Sequence, residues 1–379
     1  MRSVYAIGTG IIPFGKYPDK SLADIVWPTV KEAIIEANIG REAIDAVFFG
    51  TAFGGLLAGQ RSLRMLGISG LPIINVENAC SSGSSALRLG WMSVACGCHD
   101  VVLVVGADKL TKLGGGPLPL ERDDCEVTQG LVMPAVYAMR ARRYMHDYGL
   151  TREQLAEVSV KARKHGALNA NAQIRTPVTI EEVMASRLIA DPFTLLHCCP
   201  TGDGAATVIL ASEEVARRHS ATLVRVAGSE VTSGVYTNGY RDMTWAELTA
   251  RGAKHVYEMA GIGSGDIDVA EIHDAFTIAE LMYYEAFGFC ERGQGYELLH
   301  SGETSLGGKI VVNPSGGLLS RGHPVGATGV AQAVEIVRQL SGRSGRHQVE
   351  DAKVGLTHAT GGGIAGFDHG ACSVHIFSR

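Results

Sequence analysis

The sequence predicts an α/β protein built from two similar halves, and three observations support this fold class. The chain has 379 residues, more than one ordinary domain core accommodates. Apolar, β-branched runs of strand length alternate with amphipathic stretches of helix length, a pattern typical of parallel strands covered by helices. Each half also has a turn rich in small residues before a central helix, and a buried strand after it. We therefore expect one half over residues 1–220 and the other over 221–379.

The first half begins with a predicted strand over residues 3–12. Ser21 and Asp24 then have the spacing of a capping box, which indicates the start of an amphipathic helix. Apolar runs bounded by small residues predict the remaining elements: a strand over 46–50, a short helix over 59–67, a buried strand over 72–77, a helix over about 82–96, and strands over 101–106 and 204–210.

The alternation of strands and helices breaks between about 112 and 190. Glycines, prolines and charged residues surround two helical stretches there, one over about 129–147 and one that begins at Thr151, with Gln154 completing a capping box. We interpret this segment as an insertion laid over the core. Basic residues on such helices most often form a solvated face, but three are weak candidates for binding a phosphate-bearing ligand: Arg140, Arg143 and Lys161.

The second half repeats the scheme. A strand is predicted over 222–228, and Thr244 with Glu247 has capping-box spacing at the start of a helix. Further elements follow: a strand over 269–273, a helix that begins just after His323, a strand within 354–363 and a last strand over 372–377. Two such halves packed face to face would bring together their small-residue turns, one with Cys80 and the other with His323.

Composition excludes several classes of function. With 46% apolar residues, 19% charged residues and a formal net charge of −5, the chain has the composition of a globular protein without the basic footprint of nucleic-acid binding or anionic membranes. A strand-like run follows Met1 at once, so we expect no signal peptide, and no apolar stretch reaches transmembrane length. Eight cysteines lack the spacing of a zinc site or a disulfide framework, which indicates free thiols and a cytoplasmic location.

Cys80 is the first candidate catalytic residue. It follows a predicted strand and precedes a run of small residues, Ser81 to Ala86, that leads into an apolar helix. The unpaired N–H groups and the positive end of a helix dipole stabilise a thiolate, which would make Cys80 a nucleophile. The alternative is a buried structural cysteine. The choice between them depends on partners in the second half.

A thiolate nucleophile needs a base, donors for an oxyanion, and an acid. His323 precedes a proline at a helix start, where its ring is available as the base. His273 follows an apolar strand and could donate to an oxyanion, or could be a satisfied buried histidine. The glycines from Gly361 to Gly363 offer unobstructed backbone N–H groups, and His358 lies shortly before them in the same predicted strand.

Together these motifs resemble those of the thiolase superfamily, over nearly the whole chain. The segment Asn75-Val-Glu-Asn-Ala-Cys-Ser-Ser-Gly83 resembles the nucleophile segment, Gly322 to Gly329 resembles the Gly-His-Pro-x-Gly motif, and Val354 to Gly363 resembles the C-terminal glycine motif. The motif His273-Asp-Ala-Phe276, with His358, is similar to the sterol-carrier-protein thiolase and lipid-transfer branch. The resemblance implies a five-layered α-β-α-β-α fold with an inserted loop domain, usually as dimers or tetramers.

Two departures from the family pattern concern the second catalytic cysteine. Ordinary thiolases have it two residues before the glycine run, where this chain has Ala359. The sterol-carrier branch commonly has it within His-Asp-Cys-Phe, where this chain has Ala275. Cys125 and Cys290 lie in no matching motif. Either His358 or His273 replaces the missing thiol, or the chemistry is not an ordinary Claisen condensation.

The resemblance implies an acyltransferase that uses coenzyme A as co-substrate and needs no metal or redox cofactor. His323 would deprotonate Cys80, the enolate would be stabilised by His273, by a water or by both, and His358 would protonate it. Backbone N–H groups of Cys80 and Gly361 would hold the tetrahedral oxyanion. The acyl-CoA substrate would be a 3-oxoacyl-CoA.

Two alternatives stay open. One is a retro-aldol lyase acting on a 3-hydroxyacyl-CoA, for which tyrosines such as Tyr236, Tyr240 and Tyr296 would matter. The other is a non-catalytic acyl-CoA or lipid carrier. The resemblance also implies a homodimer or larger oligomer, and a small partner protein with a zinc ribbon and an oligonucleotide-binding-type fold.

Overall fold

The computed structural model describes residues 1–121, 124–220, 222–235, 241–362 and 369–379. Its strands are β1 (Val4–Ile11), β2 (Ala46–Gly50), β3 (Ile73–Val76), β4 (Val101–Lys109), β5 (Leu188–Ala190), β6 (Phe193–Thr194), β7 (Asp203–Ser212), β8 (Val224–Thr232), β9 (Val269–Glu271), β10 (Val311–Val312), β11 (Val354–Gly361) and β12 (Ala371–Ser378). Its helices are α1 (Leu22–Ala37), α2 (Ala58–Leu63), α3 (Ser82–Ala95), α4 (Cys125–Thr128), α5 (Met133–Tyr148), α6 (Arg152–Gly166), α7 (Ile180–Ala185), α8 (Glu213–His219), α9 (Glu247–Ala260), α10 (Thr277–Ala286), α11 (Gly295–His300), α12 (Gly317–Ser320) and α13 (Val325–Leu340).

The main sheet repeats one strand order in its two halves. The complete order is β10-β9-β11-β12-β8-β1-β7-β4-β2-β3. Read outward from the middle, β1-β7-β4-β2-β3 corresponds strand by strand to β8-β12-β11-β9-β10. The halves meet where β1 pairs with β8 through Tyr5–Arg225 and Ala6–Val224. The predicted boundary at residue 220 stays a prediction, but the repeated scheme is visible in this order.

The sheet is mixed, which corrects the expectation of parallel strands. β2 is parallel to β3 and β4, and β9 is parallel to β10 and β11. The other pairs of the main sheet, which involve β1, β7, β8 and β12, are antiparallel. Residues 362–370 between β11 and β12 are fewer than the roughly dozen residues that a parallel crossover needs.

Helices and sheet form the five layers that the family resemblance implies. α1 covers the outer face of the first half and α9 the outer face of the second, while α3 and α13 lie between the two halves of the sheet. The central helices approach closely, since a Cβ at Gly83 would lie 2.5 Å from the carbonyl oxygen of Gly326. Both helices begin at a candidate catalytic residue, so this packing determines where the site forms.

The inserted segment packs over the second half of the molecule. α5 and α6 contact α10, and their buried residues share one apolar core with α9 and α10. The predicted capping box of Thr151 and Gln154 is present at the start of α6. The helix predicted over 129–147 begins instead at Met133, where a proline occupies the first turn.

Two local predictions were wrong. α9 begins at Glu247 with Ala246 as its N-cap. Thr244 is not the cap, because its backbone N–H and its hydroxyl both donate to the carboxylate of Asp242. β3 is not buried but lies at the edge of the sheet, where the side chain of Ile74 is 48% exposed. No helix in the described part of the chain has the length and apolarity needed to span a bilayer.

Candidate active site

Cys80 lies in a tight turn that joins β3 to the central helix α3. The turn is a 3₁₀ segment, Ala79–Ser81, and it runs directly into Ser82 at the start of α3. Ala79 has a φ of +48°, a left-handed conformation that L-residues other than asparagine and aspartate rarely adopt. The hydroxyl of Ser82 accepts from the N–H of Asn78 and donates to the carbonyl of Ala79, at 2.9 and 2.6 Å. The half-buried sulphur therefore lies at the helix start, as predicted.

The end of β11 packs against this turn from the second half of the chain. A Cβ at Gly361 would lie 2.1 Å from the carbonyl oxygen of Asn78, so only glycine fits there. The hydroxyls of Ser81 and Ser373 are 2.6 Å apart and tie the turn to β12. The nucleophile turn is thus held by both halves of the molecule.

Cys80, His273 and His323 converge at the centre of the molecule. The sulphur of Cys80 and one ring nitrogen from each histidine all lie within 4.8 Å of one another. The two imidazole rings meet edge to face with their centroids 5.0 Å apart. Within the described residues, this is also the donor set that could hold a soft metal ion such as zinc. The structure thus brings together three of the four predicted catalytic side chains.

The orientation of His323 suits a base. The hydroxyl of Thr328 donates its single hydrogen to the carbonyl of Pro324 at 3.0 Å, and it lies 2.7 Å from Nδ1 of His323. Because that hydrogen is already used, Thr328 must accept from an N–H at Nδ1. The neutral ring therefore presents the lone pair of Nε2.

Asp108 holds the start of α13, and with it His323, against the first half. This carboxylate is fully buried at the end of β4 and accepts four hydrogen bonds. One donor is the N–H of Gly326 at 2.7 Å. The others are the hydroxyl of Thr51 and the N–H groups of Ala52 and Phe53. Sequence analysis missed this link, because the carboxylate belongs to no motif.

Burial controls the charge of the candidate nucleophile and base. It raises the pKa of the Cys80 thiol to about 12, although N–H groups of Gly362 and of Cys80 itself act in the opposite direction. Burial and the positive charge of Arg321 lower the pKa of His323 to about 3. These shifts favour a neutral thiol and a neutral imidazole at rest. The stabilised thiolate stays a prediction that the shifts do not favour, because desolvation outweighs the helix terminus.

His273 is buried beside the pair with one ring nitrogen unengaged. Its side chain is 3% exposed, and Nδ1 has no hydrogen-bond partner among the described residues. Burial, together with the charges of His323 and His358, holds the pKa of His273 well below its usual range. A neutral imidazole with a free nitrogen can bind a polar group of a substrate.

His358 is not brought into the cluster by the structure. Its Nδ1 lies 3.4 Å from the backbone N–H of His273, which donates to it, so Nε2 carries the hydrogen and donates to the hydroxyl of Thr249 at 3.1 Å. The fully buried ring also packs edge to face with Tyr283 and Phe287. Both nitrogens are engaged, so its predicted role as proton donor stays a prediction that this geometry does not favour.

Sequence analysis missed a buried hydrogen-bonded group beside the cluster. His369 donates from Nδ1 to the carbonyl of Gly362 at 2.8 Å and accepts from the hydroxyl of Tyr137 at 2.8 Å. The hydroxyls of Tyr137 and Tyr283 are 3.4 Å apart. Burial, together with the neighbouring Tyr283, raises the pKa of Tyr137 well above its usual range. Tyr137 is on the inserted helix α5, where no motif marks it.

The weak candidates for phosphate binding occupy different environments. Lys161 is buried and pairs with Glu280 at 2.5 Å, and Arg140 is buried with its guanidinium bound to the carbonyls of Met243 and Trp245. Both cations already have partners inside the protein. Removing one partner of a buried ion pair such as Lys161–Glu280 costs about 3–5 kcal/mol. Arg143 lies at the surface and pairs with Asp147.

The remaining predicted residues lie outside the cluster or outside the described residues. The N–H that the structure directs at the sulphur belongs to Gly362, one residue after the predicted donor Gly361. Tyr296 donates to Glu157 in a partly exposed pair. Tyr236, Tyr240 and Gly363 lie outside the described residues.

Comparison with known proteins gives consistent matches over the full chain. The family model "Thiolase, N-terminal domain" matches residues 4–214, and "Thiolase C-terminal domain-like" matches residues 229–371. The chain is 42% identical to an acetyl-CoA acetyltransferase of Methanothermobacter thermautotrophicus, over all of both proteins. It is 42% identical to the benzoylsuccinyl-CoA thiolase subunit BbsB of Thauera aromatica, over 96% of this chain and 95% of that one.

Two further matches place the chain more closely. It is 36% identical to human sterol carrier protein 2, over 96% of this chain and 71% of that protein. A solved structure titled "Ltp2-ChsH2(DUF35) aldolase" superposes with a TM-score of 0.87 at 28% identity, over 100% of this chain and 98% of that one. The chain therefore belongs to the thiolase family, in the branch that includes sterol carrier protein 2.

Proposed function

We propose that the protein is a coenzyme A-dependent acyltransferase that forms an acyl thioester on Cys80. The reaction is thiolytic cleavage of a 3-oxoacyl-CoA, or the reverse Claisen condensation. The observation that carries the proposal is the convergence of Cys80, His273 and His323 within 4.8 Å. Coenzyme A supplies the carrier thiol, and this chemistry requires no metal or redox cofactor.

The first step uses the neutral thiol and imidazole. Nε2 of His323 accepts the proton of Cys80 while the sulphur attacks the 3-keto carbon of the substrate. A neutral pair is suited to this step, because the proton moves only as the sulphur–carbon bond forms and no charge is buried beforehand. Backbone N–H groups of Cys80 and of Gly361 or Gly362 hold the oxyanion.

The second step breaks the carbon–carbon bond. The tetrahedral intermediate collapses to the Cys80 thioester, and the departing acyl-CoA leaves as its enolate. We assign stabilisation of the enolate oxygen to His273, because one of its ring nitrogens lies within 4.8 Å of the Cys80 sulphur. Protonation of the enolate carbon gives the shortened acyl-CoA, and free coenzyme A then takes the acyl group from Cys80.

Mass spectrometry of the intact protein tests the proposal. The substrates are 3-oxoacyl-CoA and 3-hydroxyacyl-CoA thioesters with aliphatic, aromatic or steroid acyl groups, each assayed with and without coenzyme A. We expect an acyl adduct on Cys80 with a 3-oxoacyl-CoA, and its removal by coenzyme A. Cleavage of a 3-hydroxyacyl-CoA in the absence of coenzyme A, with no adduct, would contradict it.

A retro-aldol lyase is the second candidate function. Two observations favour it: the match to a structure titled as an aldolase, and the pair of buried hydroxyls of Tyr137 and Tyr283, 3.4 Å apart. A tyrosine can move a proton during cleavage of a 3-hydroxyacyl-CoA without any covalent intermediate. A Tyr137→Phe variant that retains full thiolysis, with an adduct still formed on Cys80, would speak against this candidate.

We also propose a small protein partner of the DUF35 type and a cytoplasmic location. The matched aldolase structure contains a DUF35 chain, and one relative is named as a subunit. Eight free cysteines suit a reducing compartment. Size-exclusion chromatography of the chain expressed together with a DUF35 protein tests the first point, since a stable pair would elute as one peak.

A further inference from the structure

The proposed cleavage leaves one chemical role without a residue. The enolate carbon must receive a proton, and His358 is not suited to give it because both of its ring nitrogens are engaged. His323 holds the proton of Cys80, and His273 faces the enolate oxygen in the proposed mechanism. An acid placed between the Cys80 turn and the His273 loop would complete the site.

The segment that precedes β7 lies against the loop that carries His273. Cys198 forms an isolated antiparallel bridge with Phe276. The backbone N–H of Cys199 donates to the carbonyl of Ala275 at 2.9 Å. Cys199 therefore lies beside Ala275, which is two residues after His273 in the loop. The contact is between backbone groups, so it does not depend on the side chain of Cys199.

Cys199 also interacts electrostatically with Cys80. Burial raises the pKa of Cys199 well above its usual range, and the charges of Cys198, Cys80 and Asp274 raise it further. The neighbouring sulphur of Cys198 has a different contact, since it lies 3.7 Å from the carbonyl of Thr194. Cys199 is half-buried as a residue.

We infer that the thiol of Cys199 protonates the enolate carbon in carbon–carbon bond cleavage, and removes that proton in the reverse direction. The inference rests on the proposed function. Cys199 gives its hydrogen to the carbon, and the resulting thiolate takes the proton that the imidazolium of His323 had accepted from Cys80. His323 then accepts the proton of the incoming coenzyme A thiol, the coenzyme A sulphur attacks the acyl-Cys80 thioester, and His323 returns that proton to the departing Cys80 thiolate. Both thiols and His323 then have their starting protonation states.

Separate measurement of the two half-reactions tests the inference. A Cys199→Ala variant should be acylated on Cys80 by a simple acyl-CoA at a rate within about twofold of wild type. Its turnover of 3-oxoacyl-CoA should fall on the order of 10²-fold or more, as expected for loss of a positioned acid. Cys198→Ala is the matched control, and it should retain wild-type rates in both assays.

A transplanted thiol provides a rescue experiment. Ala275 bonds to Cys199 through its carbonyl, so Ala275→Cys in the Cys199→Ala background places a sulphur beside the original one. Turnover should recover at least tenfold. A purely structural role of Cys199 would not be restored by this change, so no recovery would overturn the assignment.

The outcomes distinguish this inference from the proposed function. Wild-type protein that forms no adduct on Cys80 and does not cleave 3-oxoacyl-CoA would refute the proposed function itself. Wild-type protein that does both, with Cys199→Ala equally active, would overturn only the role of Cys199. An equal loss of acylation and turnover in Cys199→Ala would also overturn it, because a proton donor for carbon is not needed in acylation.

Discussion

The nucleophile and its base illustrate how single residues depend on burial. Cys80 is presented by a turn in which Ala79 has a positive φ, and His323 is oriented by the hydroxyl of Thr328. Desolvation keeps both reacting groups neutral at rest. Three predictions at this scale follow from the thiol and its partner.

Replacing Cys80 by serine should abolish turnover and leave the fold intact. A serine alkoxide is much harder to form near neutral pH than a cysteine thiolate. The oxygen that replaces the sulphur is smaller, so it introduces no clash. The measurement is kcat with a 3-oxoacyl-CoA, together with the melting temperature. Cys98→Ser, at an exposed cysteine, is the control. Wild-type kcat in Cys80→Ser would exclude covalent catalysis.

Alkylation of Cys80 should become steadily faster with rising pH. Because its pKa is raised to about 12 while that of His323 is lowered to about 3, neither group titrates between pH 5 and 9. The thiolate fraction then grows roughly tenfold per pH unit over that range. The rate of reaction with iodoacetamide measures this, with Cys80→Ser as the background. A plateau across neutral pH would instead indicate a preformed thiolate–imidazolium pair.

His323→Ala should lower kcat on the order of 10²-fold or more, as expected for loss of a positioned base. Thr328→Val is an informative companion, since it removes only the hydroxyl that orients the ring. An unchanged kcat in His323→Ala would show that His323 does not act as the base.

At the scale of secondary structure, the site depends on how closely elements from different halves approach. The end of β11 touches the nucleophile turn, and the start of α13 is held by Asp108 at the end of β4. Small residues are required at these contacts because the backbones themselves meet. The chemistry of the site is thus sensitive to the addition of a single methyl group.

Gly361→Ala should impair turnover although it removes no functional group. The new Cβ would lie 2.1 Å from the carbonyl oxygen of Asn78, so β11 or the turn must shift. Overpacking of this kind costs about 1–3 kcal/mol and would displace Cys80 from its base. Gly265→Ala is the control, because its Cβ would meet nothing within 4 Å. Equal kcat in both variants would mean that the turn tolerates the shift.

At the scale of the whole molecule, the main sheet ends in two unlike edges. Both edge strands have a neighbour on one side only among the described strands, but the two residues of β10 are buried whereas β3 exposes Ile74. An apolar edge strand of this kind tends to pair with another chain. In a dimer, the β3 strands of two copies could pair in antiparallel fashion and bury this edge. Such a pairing has two-fold symmetry, the symmetry most common among homodimers.

We therefore expect a homodimer that Ile74→Asp converts to a monomer. The introduced carboxylate would be buried between the two paired β3 strands without an opposite charge beside it. Light scattering coupled to size-exclusion chromatography measures the mass. Ile35→Asp is the control, because Ile35 on α1 is 78% exposed but lies on a helix. A dimer that persists in Ile74→Asp would place the interface elsewhere.

Local patterns predicted most elements, and the failures have identifiable causes. The capping boxes at Ser21 and Thr151 form as expected, because every atom they need lies within four residues. Thr244 fails as a cap because α9 begins only at Glu247, and the backbone N–H of Thr244 that a capping box would give to the Glu247 carboxylate donates to Asp242 instead. β3 has the apolar pattern of a buried strand, but burial depends on whether another strand lies beside it, and its own residues do not determine that.

By itself, the sequence determined the family of the protein and suggested candidates for the reacting groups. The repeated scheme of strands and helices, the cysteine at a helix start and the Gly-His-Pro motif sufficed to assign the thiolase family. The tertiary structure decided which of these groups meet: His273 and His323 reach Cys80, while His358 bonds to the backbone behind them. The tertiary structure also decided the charge states of these groups. A pKa depends on burial by residues distant in sequence, and short motifs contain no information about that burial.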